Sequence, residues 1–140
     1  MRIVLAADGS PYTKKALAFL MTHENLAGPD DEIIVVNAQP ALPPRVRSAV
    51  GADVAKSYHT DEAEKVLTPI RRFLEKHDVK FRCEWSVGHA DEQILRTAKK
   101  AKAHIIVMGT HGHGALGRAL LGSVAQKVVT GADVPVMLVK

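Results

Sequence analysis

Short, continuously apolar runs alternate with amphipathic stretches along the whole 140-residue chain, and this alternation restricts the fold more than any other feature. Arg2-Ile-Val-Leu-Ala-Ala7 predicts a first strand, halted by Asp8-Gly9-Ser10-Pro11. Ser10 has the chemistry of a helix N-cap. Pro11 suits the first helical position, where its missing N–H would lack a partner anyway. Tyr12, Ala16, Phe19 and Leu20 share a face and predict a helix to about Glu24, broken by Gly28-Pro29-Asp30. Glu32-Ile-Ile-Val-Val-Asn-Ala38 predicts strand two.

Residues 39–51 contain Pro40, Pro43 and Pro44 and cannot be regular throughout. A long, mostly polar helix is expected from about Ala52 toward His77, kinked or split at Pro69 by the lost hydrogen bond. Val79, Phe81, Cys83, Trp85 and Val87 alternate along a third strand and fall on one face, so core packing accounts for Cys83 and Trp85. A helix over 91–103 turns Ile94, Leu95 and Ala98 inward, and His104-Ile-Ile-Val-Met-Gly109 forms strand four. A helix near 123–130, closed by Gly131, precedes Val134-Pro-Val-Met-Leu-Val139 as strand five.

Strands separated by helices pair in parallel through right-handed crossovers, giving a sheet covered on both faces. Strands one, two and four are apolar throughout, as central strands must be. The alternating strand three and the Pro135-bearing strand five suit the edges. The expectation is a single α/β domain over 1–140, an open, Rossmann-like parallel five-stranded sheet of order 3-2-1-4-5. In such a sheet ligands bind beyond the carboxyl ends of strands one and four, where the chain changes direction. Residues 7–11 and 109–122 are the loops predicted there.

Composition removes several alternatives. Cys83 stands alone, so neither an internal disulfide framework nor a cysteine-based zinc cluster is available. No apolar run approaches the roughly 18 residues of a membrane helix, and residues 1–7 are too short for a secretory signal. A cytoplasmic, reducing setting is therefore expected, with no membrane association. The 19 Lys and Arg exceed the 15 Asp and Glu by only four and are scattered in short pairs on helices. With 4% aromatic residues, base-stacking platforms are poorly supplied and nucleic acid is not an expected partner.

Between Gly109 and Gly122 lie five glycines in 14 positions, which lets the backbone fold back and present N–H groups to a ligand. Ser123-Val-Ala-Gln126 has capping-box form, and a helix start offers unpaired donors with a partial positive charge. Phosphate is the natural guest, and Ser10 and Arg118 are further candidates for its contact. A Walker loop is excluded, because neither Gly-Lys-Ser nor Gly-Lys-Thr occurs. Gly112-His-Gly114-Ala-Leu-Gly117 fits G-x-G-x-x-G in letters, but it starts three residues past the strand and too near the C-terminus for a dinucleotide unit. A phospho-receiver needs an acid at the end of strand three, where this chain has Val87-Gly88.

Gly109-x2-Gly112-x9-Gly122-Ser123 instead resembles the G-2x-G-9x-G-(S/T) pattern of nucleotide-binding universal stress proteins. The similarity extends over essentially the whole chain. It includes Asp8-Gly9-Ser10, Gly88-His-Ala-Asp-Glu-Gln-Ile94, Gly122-Ser-Val-Ala-Gln-Lys-Val128 and the closing strand. The resemblance implies that Ala6, Ala7 and Asp8 lie beside an adenosine, the carboxylate accepting from the nucleoside. Ala38 would line the adenine pocket, where relatives often carry Val. Met108 and Gly109 would flank the ribose and first phosphate, and Gly112, Gly122, Ser123 and Val124 would cradle the phosphates. It further implies ATP, with Mg²⁺, as the ligand, and a homodimer formed through Val134-Pro-Val-Met-Leu-Val139.

Each residue also has a plainer role. Asp8 is suited to closing the turn before the first helix, and Ser123 to capping alone. His111 and His113 are expected to face solvent, since no carboxylate cluster completes a metal set with them. The favoured reading is a nucleotide-dependent regulatory or stress-response protein with unidentified protein partners. No residue is assigned as general base or nucleophile, so hydrolysis would be slow at most. The alternatives are a slow ATPase or phosphotransferase using Ser123, Ser10 or His111, and a nucleotide-free dimeric interaction module. The Pro-rich segment 39–51 is expected at the ligand end of strand two, as a lid or a connector.

Overall fold

The computed structural model describes residues 1–23, 25–112 and 121–140. Strands β1 (Arg2–Ala6), β2 (Glu32–Gln39), β3 (Lys80–Val87), β4 (Ile105–Gly109) and β5 (Val136–Val139) form one sheet of order β3-β2-β1-β4-β5. Every neighbouring pair is parallel. Helices α1 (Pro11–Thr22), α2 (Pro44–Val50), α3 (Ala52–Leu74), α4 (Ala90–Lys100) and α5 (Ser123–Gly131) complete the described elements.

The pleat of the central strands sorts their side chains between two cores. Ile3, Leu5, Ile33 and Val35 pack with Leu17 and Leu20 of α1 and Leu67, Ile70 and Leu74 of α3. Val4, Ile34, Val36, Ile106 and Met108 pack with Ile94 and Ala98 of α4 and Ala125 and Val128 of α5. Both faces of β1, β2 and β4 are thus covered, as their uninterrupted apolar character requires. The predicted topology, strand order and layers are those observed.

Boundaries differ in informative ways. Helix α1 ends at Thr22, short of the expected Glu24, which lies outside the described residues. The Pro-rich segment holds a short helix, α2, because Pro44 occupies its first turn and no donor is lost there. None of the residues of α2 is buried. Pro69 does not split α3, which runs unbroken from Ala52 to Leu74. An interior proline costs about 3 kcal/mol. Leu67, Ile70 and Leu74, all buried on the sheet, each return roughly 1.5–3 kcal/mol. The sheet wins.

Helix α4 occupies Ala90–Lys100 rather than 91–103, and Leu95 is only partly buried beside Ile94 and Ala98. On β3, Phe81, Cys83 and Trp85 pack inward as expected, but Val87 is 40% exposed. It pairs with Gln39, the last residue of β2, so nothing in the sheet extends beyond it. Strand β5 is shorter than 134–139.

Candidate functional site

Beyond the carboxyl ends of β1, β2 and β4 the described residues enclose a cavity of about 800 Å³. That volume is in the range of small-molecule sites. It opens at the switch point, where β1 has β2 on one side and β4 on the other.

On the β4 side three glycines bring the backbone close to the cavity. Strand β4 ends in Gly109, and a Cβ there would overlap the Cβ of Tyr12. A Cβ on Gly112 would overlap the Oδ2 of Asp8, so this glycine lets the segment lie directly against the end of β1. The Gly122 N–H donates to the Thr110 carbonyl at 2.7 Å, folding the chain back toward the sheet. Gly122 is also the N-cap of α5. The expected capping box is not formed: Ser123 is already helical and no side-chain cap hydrogen bond is made. Helix geometry leaves the N–H groups of Ser123, Val124 and Ala125 without an intrahelical acceptor, and all three residues line the cavity. Their partial positive charge gives this wall an affinity for anions.

Between the two sides stands the turn after β1. The Oδ1 of Asp8 accepts from the Ser10 N–H at 2.9 Å and from the Thr13 hydroxyl at 2.8 Å. The Asp8 N–H in turn donates to the same hydroxyl at 3.1 Å. Gly9 takes a φ of +79°, which closes the turn in a conformation costly for other residues. Asp8 therefore closes the turn and lines the cavity at once.

Ala6, Ala7, Asp8, Ala38, Met108, Gly109, Gly112, Gly122, Ser123 and Val124, separated by up to 118 positions in sequence, all line this one cavity. Ser10 does not. It is 1% exposed, and its Oγ accepts the Thr13 N–H at 3.4 Å as the cap of α1. Arg118 and His113 lie outside the described residues. His111 departs from the expected solvent-facing position: it lines the cavity, its Nδ1 is 3.0 Å from the Thr110 hydroxyl, and its ring is 5.3 Å from that of Tyr12. Among the described residues no group of three His, Cys, Asp or Glu is placed to hold a metal.

Of the β2 side, only Ala38 is among the residues expected from the sequence. That side is lined further by Val36, Asn37 and Gln39 of β2, by Glu62, Lys65 and Val66 of α3, and by Ala90 and Ile94 of α4. Lys65 Nζ donates to Glu62 at 2.8 Å, a bond that holds the ammonium above its usual pKa. Asn37 donates through Nδ2 to the Ala7 carbonyl at 2.9 Å and receives the Gln39 Nε2 at 2.6 Å. The signal available in sequence was the polar interruption Asn37-Ala-Gln39 at the end of an otherwise apolar central strand.

Comparison with known proteins agrees with this architecture. The chain is 34% identical to a universal stress protein of Thermus aquaticus, over 99% of this chain and 97% of that protein. It is 33% identical to universal stress protein MJ0531 of Methanocaldococcus jannaschii, over 99% and 81%. The solved structure of protein MJ0577 superposes with a TM-score of 0.84 at 27% identity, covering 99% of this chain and 94% of that one. An Arabidopsis thaliana family protein with AMP bound gives 0.69 at 17% identity, over 100% and 91%. The Archaeoglobus fulgidus universal stress protein in complex with dAMP gives 0.72 at 23%, over 100% and 98%. These last two establish likeness of fold. The model of the universal stress protein family matches residues 1–140, and the chain belongs to that family.

Proposed function

We propose that this protein binds an adenine nucleotide, ATP together with Mg²⁺, in the cavity at the carboxyl ends of β1, β2 and β4. On this reading occupancy, rather than turnover, is the output: a bound nucleotide favours one conformation for protein partners, as a cytoplasmic stress-response regulator. The observation that carries it is the coincidence of the Gly109-x2-Gly112-x9-Gly122-Ser123 spacing with the start of α5 on one cavity wall. Phosphates fit that wall, and the apolar Val36, Ala38, Val66 and Ile94 across the cavity suit a base. Relatives of the same fold with AMP and dAMP bound support the ligand class. Mg²⁺ would arrive chelated by the phosphates. Commitment of Ser10 to capping α1 argues against its use in phosphotransfer.

Thermal unfolding with and without MgATP tests the proposal. At 100 times the Kd, ligand should stabilise the fold by about 2.7 kcal/mol. Gly122→Val should abolish the shift, because a Cβ there already sits 3.2 Å from the Thr110 carbonyl and 3.3 Å from the His111 Cα. A folded protein with no shift would sink the reading.

Homodimer formation through β5 belongs to the same proposal. Strand β5 pairs with β4 along one side only, and its four apolar residues are all half-buried. An edge of this kind is matched by a second copy about a twofold axis. Val136→Lys should yield monomer in sedimentation; a dimer of unchanged mass would place the interface elsewhere.

A further inference from the structure

Helices α4 and α5 begin at the wall of the first cavity, with Ala90 and Ser123, and their far ends enclose a second one of about 470 Å³. It lies at the amino ends of β4 and β5, and its volume suffices for a small molecule. The apolar part of its lining includes Leu95, Ala98, Ala103, Ile106, Ala132 and Val134. Arg96, Lys99 and Lys102 line it as well and are exposed, against the one carboxylate of Asp133. Long basic side chains lay their stems along apolar surface and keep their charges in water.

The ordinary employments of these cations are filled by other groups. Lysines near a helix C-terminus commonly serve its free carbonyls. At the end of α4 the main chain does so: the carbonyls of Thr97, Ala98 and Lys99 accept from the N–H groups of Ala101, Ala103 and Lys102. The Lys102 carbonyl accepts from Arg2 Nε at 3.1 Å, and at the end of α5 the Val128 carbonyl accepts the Ala132 N–H at 2.9 Å. Among the described residues neither the three cations nor Asp133 enters an ion pair. Lys102 also holds a φ of +53°, the one positive value on a non-glycine among the described residues. Glycine would close α4 there at less cost, so a lysine side chain stands at the cavity in spite of its backbone.

We propose that this second cavity binds an anionic amphiphile, a small carboxylate with an apolar body. The body occupies the lining of Ala98, Ala103, Ile106 and Val134, and the carboxylate meets Arg96, Lys99 and Lys102. A neutral apolar molecule would leave the cations unused, and a bare anion would leave the apolar lining wet; a molecule with both parts uses both. The site shares no residue with the first cavity and stands whether or not a nucleotide binds there.

The test is a ¹H–¹⁵N NMR titration of the intact protein with octanoate, and with octanol and acetate as the apolar body and the charge taken separately. Octanoate should give saturating shifts at the amides of Ala98, Ala103, Ala132 and Val134, with an affinity about tenfold above that for octanol. Acetate should give no saturating shift there. Replacing the three cations together (Arg96→Gln, Lys99→Gln, Lys102→Gln) should lower octanoate affinity to that for octanol, in a protein that stays folded because these side chains are exposed and outside any ion pair. Salt at about 0.5 M should weaken octanoate and leave octanol unchanged. Shifts confined to residues of the first cavity, or equal affinities for octanoate and octanol, overturn the inference. A preference that survives in the triple variant overturns it too, since other groups would then hold the carboxylate. So do shifts at the same amides that follow protein concentration without ligand, because a second copy of the chain would then cover the cavity.

Discussion

The two walls of the cavity are made of different material. On the β4 side Gly109, Gly112 and Gly122 bring the main chain close, and the start of α5 supplies the N–H groups of Ser123, Val124 and Ala125. On the β2 side the lining is side chain, with Asn37, Gln39, Glu62, Lys65 and Val66 projecting from a strand and a helix. A main-chain wall offers donors to any anion of suitable size, whereas a side-chain wall discriminates by the identity of its groups. On the proposed reading, affinity for phosphate would come from one side of β1 and selectivity from the other, and Asp8 stands where the sides meet.

Asp8→Ala should have the largest effect among changes that keep the glycines. It removes the acceptor of the Ser10 N–H and the Thr13 hydroxyl and takes a carboxylate from beside Gly112. Hydrogen bonds to a charged group are worth about 1.5–3 kcal/mol, so stability should fall by about that amount in denaturant titration. Nucleotide affinity should fall roughly tenfold to a hundredfold if Asp8 also accepts from the ligand. Lost stability with unaltered affinity would confine Asp8 to the turn and leave the two walls without a shared residue.

A smaller effect is expected of Ser123→Ala. Because Gly122 is the cap and the N–H groups of α5 survive the change, affinity should fall less than about threefold. A tenfold loss measured by the same titration would show that the anion wall depends on a side chain after all.

The smallest effect concerns Cys83 on β3, behind the side-chain wall. Burial pushes its thiol above the usual range, and the nearby Arg71 only partly offsets this. The thiolate fraction at pH 8 should therefore be below that of free cysteine and alkylation slower, with the rate still climbing at pH values where that of free cysteine has levelled off. If the side-chain wall is preformed, the rate should be the same with and without nucleotide. A rate that falls on adding nucleotide would mean that the ligand consolidates this side of the sheet.

The difference between the walls also explains what the sequence disclosed. A main-chain wall needs the absence of side chains at set intervals, and that requirement is written as the spacing 109, 112, 122. The strand order was equally legible, because buried central strands must be apolar on both faces while β3 could alternate. The side-chain wall has no such interval. Residue 37 meets residue 7 only through sheet register, and residues 62–66 meet 36–39 only because α3 returns across β2. The capping box at Ser123 was misread for a related reason: its letters fit, but the fold back from Gly122 to Thr110 starts the helix one residue earlier than a serine cap would. His111 was misplaced because the loop's reversal toward Tyr12 is a tertiary event.

The strand order also sets a timetable for biosynthesis. The side-chain wall and three of the five strands are encoded in the first 87 residues, whereas β4 and α5 come from position 105 onward. A chain growing from its N-terminus makes the middle strand of the sheet first and leaves one of its edges bare until β4 arrives. The glycines at 109, 112 and 122 and the start of α5 are therefore translated after β1, β2 and β3, so a ligand held there would meet those three strands already made. A chain interrupted near position 100 would carry the β2 wall without the glycine loop and an open apolar edge on β1, which marks it for aggregation or degradation.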